Sequence, residues 1–394
     1  MTRSGARRIA VFTGNRAEYG LQMPVIRAIA QHPCLEYALV VSGAHLKEDF
    51  GRTVTEIRQD GFEVHAEVVL DMDDDSLRST AQAIGSGIVS LSRALSRLAP
   101  DFLVVCADRF EGFAAVVAGT QMGVPTAHIE GGDYTEGGAL DDSVRHAMTK
   151  LAHLHFTTNE QSADRVRRMG EEPWRVHNVG LPILDLVAAG EYAPPDEVYR
   201  RFGLAPDRPI LMFTQHSVAT ECDRAVEQLE PSLAALEHAA RAWGCQVVIT
   251  YPNDDAGGRR MVGALETFAA RGVPGVQLRR SLGRYSYHGI LNVAAACVGN
   301  SSSGLKETPS FHCPCVNIGS RQRGRLRAAN VLDVDYDTGA ILDAIRRCLD
   351  DEAFRDQVRR CSNPYGTGQA GPRIANLLAT TEITPRLIQK RMTY

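Results

Sequence analysis

The feature that most constrains the fold is a strand, turn and helix unit that recurs along the chain. Its first copy, residues 7–31, has an apolar run at 9–12, a glycine-containing turn and a segment with apolar residues at helical spacing. Similar apolar runs that lead into glycine turns occur at 37–43, 101–123 and 124–132. Alternation of this kind is typical of a parallel sheet covered by helices, so the sequence predicts an α/β, doubly wound fold.

A second series of such units begins near the middle of the chain. Residues 179–209 hold the densest cluster of proline and glycine-bounded polar residues, and the strand pattern restarts at 210–217. A chain of 394 residues exceeds the usual size of one hydrophobic core. We therefore predict two Rossmann-like domains and a C-terminal tail, with the bounds 1–187, 188–375 and 376–394.

Charge and composition exclude several classes of function. The net charge of -4, from 43 basic and 47 acidic residues, provides no field for binding nucleic acid or an anionic membrane. The apolar run at 9–12 is too short for a signal peptide or a membrane span, so we expect a cytoplasmic protein. Nine cysteines without paired CxxC spacing predict reduced thiols and no zinc site.

Polar residues that follow the predicted strands are the candidate site residues, because ligands of open parallel sheets bind beyond the carboxyl ends of the strands. We expect those of both halves to face one cleft. The first half supplies Arg16, Asp108, Arg109, Glu130, Asp141, Asp142, Arg145 and His146. The second half supplies His216, Asn253, Asp254, Ser301, Ser302, Ser303, Glu307 and Arg321.

The acidic candidates also have structural interpretations. Asp141 and Asp142 precede a helical pattern, and capping of that helix explains at least one of them. Capping does not explain Glu130 and Asp108, which follow buried strands where an ionised group is costly unless it is paired or used. His153 and His155 alternate like a metal pair, but packing or a hydrogen bond is the better interpretation and no third ligand is evident.

The stretch "VGNSSSGLKE" predicts a strand, a turn of small residues with free amides and hydroxyls, and a helix whose amino end attracts negative charge. It is a candidate diphosphate cradle that includes Gly304, although such a turn is as often ordinary loop structure. It lacks the lysine and spacing of a Walker motif. Arg321 opens the basic run "RQRGRLR", which fits an anion clamp or a solvated helix face.

Eight ordered motifs between residues 8 and 375 resemble the hydrolysing UDP-N-acetylglucosamine 2-epimerases. They are "TGNRAEYG", "DRFE", "HIEGG", "DDSVRHAMTKLAHLHF", "NVGLPILD", "YPNDDAGGR", "GNSSSGLKE" and "NIGSRQRGR". The resemblance implies a glycosyltransferase-B-type arrangement with an interdomain cleft, and a place in sialic or legionaminic acid biosynthesis. Ser217, where the family usually has proline, and a longer loop at 133–140 leave the identity of the sugar open.

The resemblance also implies a reaction and roles. UDP leaves C1 while a base removes the proton from C2, and water adds to the resulting glycal to release the free 2-epimer. The implied acids and bases are Asp108, Glu130, Asp141, Asp142 and His216. The implied substrate contacts are Arg16, Arg109, Arg145, His146, Asn253, Asp254, Ser301, Ser302, Gly304, Glu307 and Arg321.

Glu307 suits the two ribose hydroxyls, because a carboxylate accepts from both. The route needs no cofactor and no metal, and the family commonly forms dimers or tetramers. Two alternatives remain: a UDP-sugar glycosyltransferase of the same architecture, which would need a bound acceptor, and a non-catalytic protein that binds nucleotide sugars.

Overall fold

A computed structural model describes residues 5–47, 52–70, 72, 76–134, 139–253 and 256–394. The contacts divide the chain into two compact units. The first comprises Met1–Asp133, Leu140–Leu186 and Tyr365–Tyr394, and the second comprises Tyr134–Ala139 and Val187–Pro364. Within the described residues, no helix is long and apolar enough to cross a membrane.

The strands are short and are separated by helices throughout. In chain order they are β1 (Arg7–Thr13), β2 (Leu35–Ser42), β3 (Val64–Val68), β4 (Phe102–Cys106), β5 (Thr126–Ile129), β6 (Leu154–Thr157), β7 (Val176–Asn178), β8 (Ile210–Thr214), β9 (Gln246–Thr250), β10 (Val276–Arg279), β11 (Ala296–Gly299), β12 (Cys315–Ile318) and β13 (Val331–Val334).

The α-helices follow the strands and vary from one turn to six. In chain order they are α1 (Arg16–Gln31), α2 (Val54–Gln59), α3 (Leu77–Leu98), α4 (Phe110–Gln121), α5 (Ala139–Leu151), α6 (Glu160–Arg168), α7 (Leu184–Ala188), α8 (Pro195–Phe202), α9 (Ala225–Ala242), α10 (Gly258–Ala270), α11 (Gly283–Val293), α12 (Ser303–Lys306), α13 (Thr338–Asp350), α14 (Glu352–Arg359), α15 (Ala370–Thr380) and α16 (Pro385–Ile388).

The first unit is built on a parallel sheet. Its described strands lie in the order β3-β2-β1-β4-β5-β6-β7, and every pair is parallel. All five residues of β4 and all four of β5 are buried, as expected for strands covered on both faces. The strand order reverses direction between β1 and β4, and the carboxyl ends of strands at such a point are where open α/β sheets bind ligands.

The second unit repeats this plan. Its described strands lie in the order β10-β9-β8-β11-β12-β13, again with every pair parallel. The order reverses between β8 and β11, and both strands are buried along their whole length. The prediction of two doubly wound α/β domains with parallel sheets is therefore confirmed.

The end of the chain packs into the first unit. Helix α15 contacts α1, and the carboxylate of Asp185 accepts hydrogen bonds of 2.8 and 2.7 Å from the backbone amides of Ala370 and Gly371. These amides lie in the first turn of α15, where the helix leaves its amides unpaired, so Asp185 caps it from another part of the chain. The bounds predicted from the sequence placed residues 365–375 in the second domain and 376–394 in a tail.

Candidate functional site

Two neighbouring strands of the first unit end in strained backbone. Ala107 follows β4 with φ of +59°, and Glu130 follows β5 with φ of +64°. Residues other than glycine adopt this left-handed conformation at a cost of about 1–3 kcal/mol, and such strain is concentrated at functional sites. The side chain of Glu130 is buried at this edge of the sheet, beside the loop that carries Asp108 and Arg109.

Arg145 forms hydrogen bonds to three acidic residues at this edge. Its buried guanidinium donates from Nη2 to Asp108, and from Nη1 to Asp142 and, over 3.0 Å, to the carbonyl of Asp133. One side chain thereby connects helix α5 to the loops after β4 and β5. A fork-shaped cation of this kind offsets the cost of removing the buried Asp142 and the partly buried Asp108 from water.

Asp142 is not the residue that precedes its helix, and its carboxylate has a partner of its own. Helix α5 begins at Ala139, so Asp142 lies inside its first turn and its carboxylate bonds to Arg145 three residues later. The side chain of Asp141 lies outside the described part of the structure. His146, half-buried on the same helix, has a lowered pKa because of burial and the nearby charges of Arg145 and Arg165.

His128 is a further residue of this edge, and the sequence analysis did not select it. Its buried ring donates from Nε2 to the carbonyl of Ala107 over 2.7 Å, and its Nδ1 lies 3.2 Å from the hydroxyl of Thr149 on α5. Burial lowers the pKa of His128 to about 4, so the ring is neutral. His128 thus holds the strained turn before Asp108 in place. The sequence signal that could have identified His128 is its position in the motif "HIEGG".

His153 and His155 are structural, as the sequence indicated. The ring of His155 is 3.0 Å from a carboxylate oxygen of the buried Glu171, and His153 Nδ1 accepts from the amide of Thr126 over 3.0 Å. No group of three or more histidine, cysteine or carboxylate residues among the described residues is arranged to hold a metal ion.

Two arginines lie at the same end of the first sheet. Arg16 begins α1, and its Nε is 3.2 Å from a carboxylate oxygen of Glu56. Arg109 precedes α4, and its Nε is 3.4 Å from an oxygen of Glu111. Both arginine side chains are more than two-fifths exposed, so both can reach a ligand beyond the sheet.

In the second unit, Asn300 joins the loops that follow β8 and β11. Its side-chain oxygen accepts from the amide of His216 over 2.6 Å, and its side-chain nitrogen donates to the carbonyl of His216 over 2.8 Å. Its own carbonyl accepts from Arg321 over 3.2 Å and from Gln322 over 2.8 Å. Asn300 and Gln322 are not among the residues predicted from the sequence, because both act by positioning their neighbours.

The ring of His216 has a defined tautomer. Its Nδ1 accepts from the backbone amide of Asn253 over 2.9 Å, so the neutral ring carries its proton on Nε2. Burial and the charge of Arg321 hold the pKa of His216 well below its usual value. His216 is therefore a neutral donor at physiological pH. Asp254, the next predicted contact, lies outside the described residues.

The serine turn differs in one respect from the prediction. Ser301 and Ser302 follow β11 as expected, but α12 is a single turn of four residues, which is too short for a substantial helix dipole. A Cβ on Gly304 would lie 2.8 Å from the sulfur of Cys315, so this glycine is required by packing. Glu307 directly follows α12, and one of its carboxylate oxygens lies 2.7 Å from Nε2 of the buried His288.

Residues 27–379 match the family model described as UDP-N-acetylglucosamine 2-epimerase. A UDP-N,N'-diacetylbacillosamine 2-epimerase (hydrolyzing) of Legionella pneumophila is 33% identical over 98% of this chain and 100% of its own length. A UDP-N-acetylglucosamine 2-epimerase of Neisseria meningitidis is 31% identical over 86% of this chain and 87% of its own. The crystal structure of a Neisseria meningitidis UDP-GlcNAc 2-epimerase bound to UDP-GlcNAc superposes with a TM-score of 0.82 at 18% identity, covering 95% of this chain and 100% of that one.

Proposed function

Because the chain belongs to the UDP-N-acetylglucosamine 2-epimerase family, a family of enzymes, we propose that it hydrolyses a UDP-sugar and inverts the sugar at C2. The observation that carries this proposal is the set of acidic groups at the carboxyl edge of the first sheet. Asp108 and Asp142 both bond the guanidinium of Arg145. Glu130 directly follows β5, the strand next to β4.

The proposed reaction is an elimination followed by addition of water. The bond between C1 and the diphosphate oxygen breaks with its electron pair leaving on UDP, and a carboxylate takes the proton from C2. Water then adds to the glycal, with hydroxyl at C1 and hydrogen on the opposite face of C2. Carboxylates suit both steps, because they accept a proton and stabilise the positive charge that develops on the ring.

The second unit supplies the groups proposed to bind the nucleotide. His216 offers a neutral Nε2 donor, Arg321 a positive charge, and the turn at Ser301 and Ser302 two hydroxyls. Donors of this kind stabilise the charge that accumulates on a departing diphosphate. Asn253 and Glu307 are further proposed contacts of the nucleotide, as are Arg16 and Arg109 of the first unit.

We propose a UDP-linked diacetamido sugar of the diacetylbacillosamine type as the first substrate to test, with UDP-N-acetylglucosamine second. The Legionella pneumophila relative named for the former covers 98% of this chain at 33% identity, whereas the Neisseria meningitidis relative covers 86% at 31%. The expected product is the free 2-epimer, which for UDP-N-acetylglucosamine is N-acetylmannosamine. We also propose a dimer or tetramer, which light scattering would measure.

The test is to incubate the pure protein with a panel of UDP- and GDP-sugars in deuterated water and to follow the products by NMR. We expect free UDP and a free 2-epimeric sugar that carries deuterium at C2. Release of UDP only after an acceptor is added would instead identify a glycosyltransferase. Binding of the nucleotide sugar without turnover would identify a non-catalytic binding protein.

A further inference from the structure

Two glutamates of the first unit that do not contact Arg145 are buried at the same edge of the sheet. Glu18 lies in the first turn of α1 and Glu111 in the first turn of α4, and their exposed fractions are 3% and 2%. The amide of Gly14 donates to Oε2 of Glu18 over 2.8 Å. A Cβ on Gly14 would lie 2.9 Å from Cβ of Glu111, so both glutamates contact this one residue.

Glu111 also reaches the loop after β2. A Cβ on Gly43 would lie 3.0 Å from Oε1 of Glu111, and it would also collide with the carbonyl of Gly14. Gly43 has φ of +56°, so the glycine is required by conformation as well as by space. The two glutamates therefore lie where the loops after β1, β2 and β4 meet.

Within the described part of the chain, one cation is paired with these two carboxyl groups. Arg109 is the cation paired with Glu111, at 3.4 Å, and Oε1 of Glu18 and Oε2 of Glu111 have no hydrogen-bond partner among the described residues. His45 from the loop after β2 is neutral, because burial lowers its pKa to about 4. Arg16, from the loop after β1, pairs with Glu56.

Ionising both members of a pair of buried carboxyl groups is costly, and in such pairs one group keeps its proton. Burial and the negative charge of Glu111 raise the pKa of Glu18 to about 8, against the opposing effects of the Gly14 amide, Arg109 and the Asn15 amide. With the proton present, the pair carries one negative charge beside the guanidinium of Arg109.

We propose that Glu18 and Glu111 share one proton and act as positioning residues, holding the Gly14 loop and Arg109 in the geometry that binds substrate. The catalytic consequence rests on the proposed function, in which Arg16 and Arg109 contact the nucleotide sugar. The shared proton itself does not depend on that function. Loss of the proton leaves two buried negative charges, and their mutual repulsion pushes the two glutamates apart. This movement displaces the Gly14 loop, which is bonded to Glu18, relative to Arg109, which is paired with Glu111.

The first test detects the proton directly by difference infrared spectroscopy in a titration that crosses pH 8. We expect the wild-type protein to show the carbonyl band of a protonated carboxylic acid, which disappears as the pH rises. The band should be absent in Glu18→Gln and should titrate at lower pH in Glu111→Gln, which lacks the neighbouring charge. Glu36→Gln, on the exposed end of β2, is the matched control and should keep the wild-type band.

The second test measures the pH dependence of turnover with the substrate identified above. Wild-type kcat/KM should fall about tenfold per pH unit above pH 8, mainly through KM, as expected for loss of one proton. The amide of Glu18→Gln mimics the protonated acid, so this variant should keep neutral-pH activity and lose the alkaline decline. Lys390→Arg serves as a second control, because the pKa of Lys390 is also about 8. It tests whether the alkaline decline comes from Lys390 and not from Glu18.

The outcomes separate the two proposals. Absence of the acid band from the wild-type protein at neutral pH would overturn the shared proton, whatever the enzyme turns over. Presence of the band, with an alkaline decline that is the same in wild type and Glu18→Gln, would overturn the positioning role alone. Absence of turnover on any nucleotide sugar, with the band present, would refute the proposed function and leave the shared proton standing.

Discussion

The buried guanidinium of Arg145 donates to the carboxylate of Asp108, a residue 37 positions earlier in the chain. This bond connects helix α5 to the loop after β4. Arg145 also bonds Asp142, so one cation sets the separation of two carboxylates that we propose act on the sugar. The geometry of the proposed site therefore depends on a residue that need not itself touch the substrate.

Replacing Arg145 by methionine should abolish turnover and destabilise the fold. The change leaves the buried Asp142 and the partly buried Asp108 without this cation, and loss of one partner of a buried ion pair typically costs about 3–5 kcal/mol. Urea unfolding and UDP release measure the two effects. Arg167→Met, on the exposed face of α6, should alter neither. Wild-type stability in Arg145→Met would contradict this account of the site.

Replacing Glu130 by glutamine should lower kcat about a hundredfold to ten-thousandfold, the usual contribution of one general acid or base. The side chain keeps its size and the left-handed backbone keeps its conformation, so UDP should still bind with nearly wild-type affinity. Steady-state kinetics and isothermal titration calorimetry with UDP test both statements. A kcat close to that of the wild type would remove Glu130 from the proposed mechanism.

Replacing Asn300 by alanine should weaken UDP binding and lower stability. The variant leaves the buried amide and carbonyl of His216 without their partners, and each such group costs about 1–3 kcal/mol. It also removes the side chain that holds the loop of His216 against the loop after β11. Calorimetry with UDP measures the effect, with Asn292→Ala on the exposed side of α11 as control. Equal UDP affinity in the two variants would count against the positioning role.

Glu171 should make the stability of the first unit depend on acid pH. Burial by itself would raise the pKa of Glu171. Hydrogen bonds from His155, Lys150 and Lys390 instead lower this pKa to about 2. A carboxyl group whose folded pKa is depressed contributes stability above its unfolded pKa, and that contribution is lost as the pH falls through the folded value. The shift corresponds to a contribution on the order of 3 kcal/mol at neutral pH.

The variant Glu171→Gln tests this prediction. Its free energy of unfolding should be lower than that of the wild type at neutral pH, and the difference should shrink as the pH falls from 4.5 toward 2. Urea titrations at a series of pH values measure it, with the exposed Glu160→Gln as control. A difference that does not vary with pH would show that Glu171 acts by packing alone.

The amino-acid sequence by itself determined the two parallel α/β sheets and the family. Strands such as β4 are buried on both faces, so they are continuous apolar runs that end in glycine or polar residues. The candidate residues after those strands could be selected for the same reason, since the carboxyl ends of parallel strands lie along one edge of a sheet. Both inferences use only local patterns.

Only the tertiary structure decided how these residues pair. Asn300 and His216 are 84 positions apart, and the end of the chain joins the first unit through Asp185, 185 positions before Ala370. Glu18 and Glu111 meet around Gly14 although they lie on helices from different parts of the chain. Long-range hydrogen bonds and shared burial have no periodic signature, because they depend on how separate elements pack. The charges and tautomers of the proposed site follow from that packing.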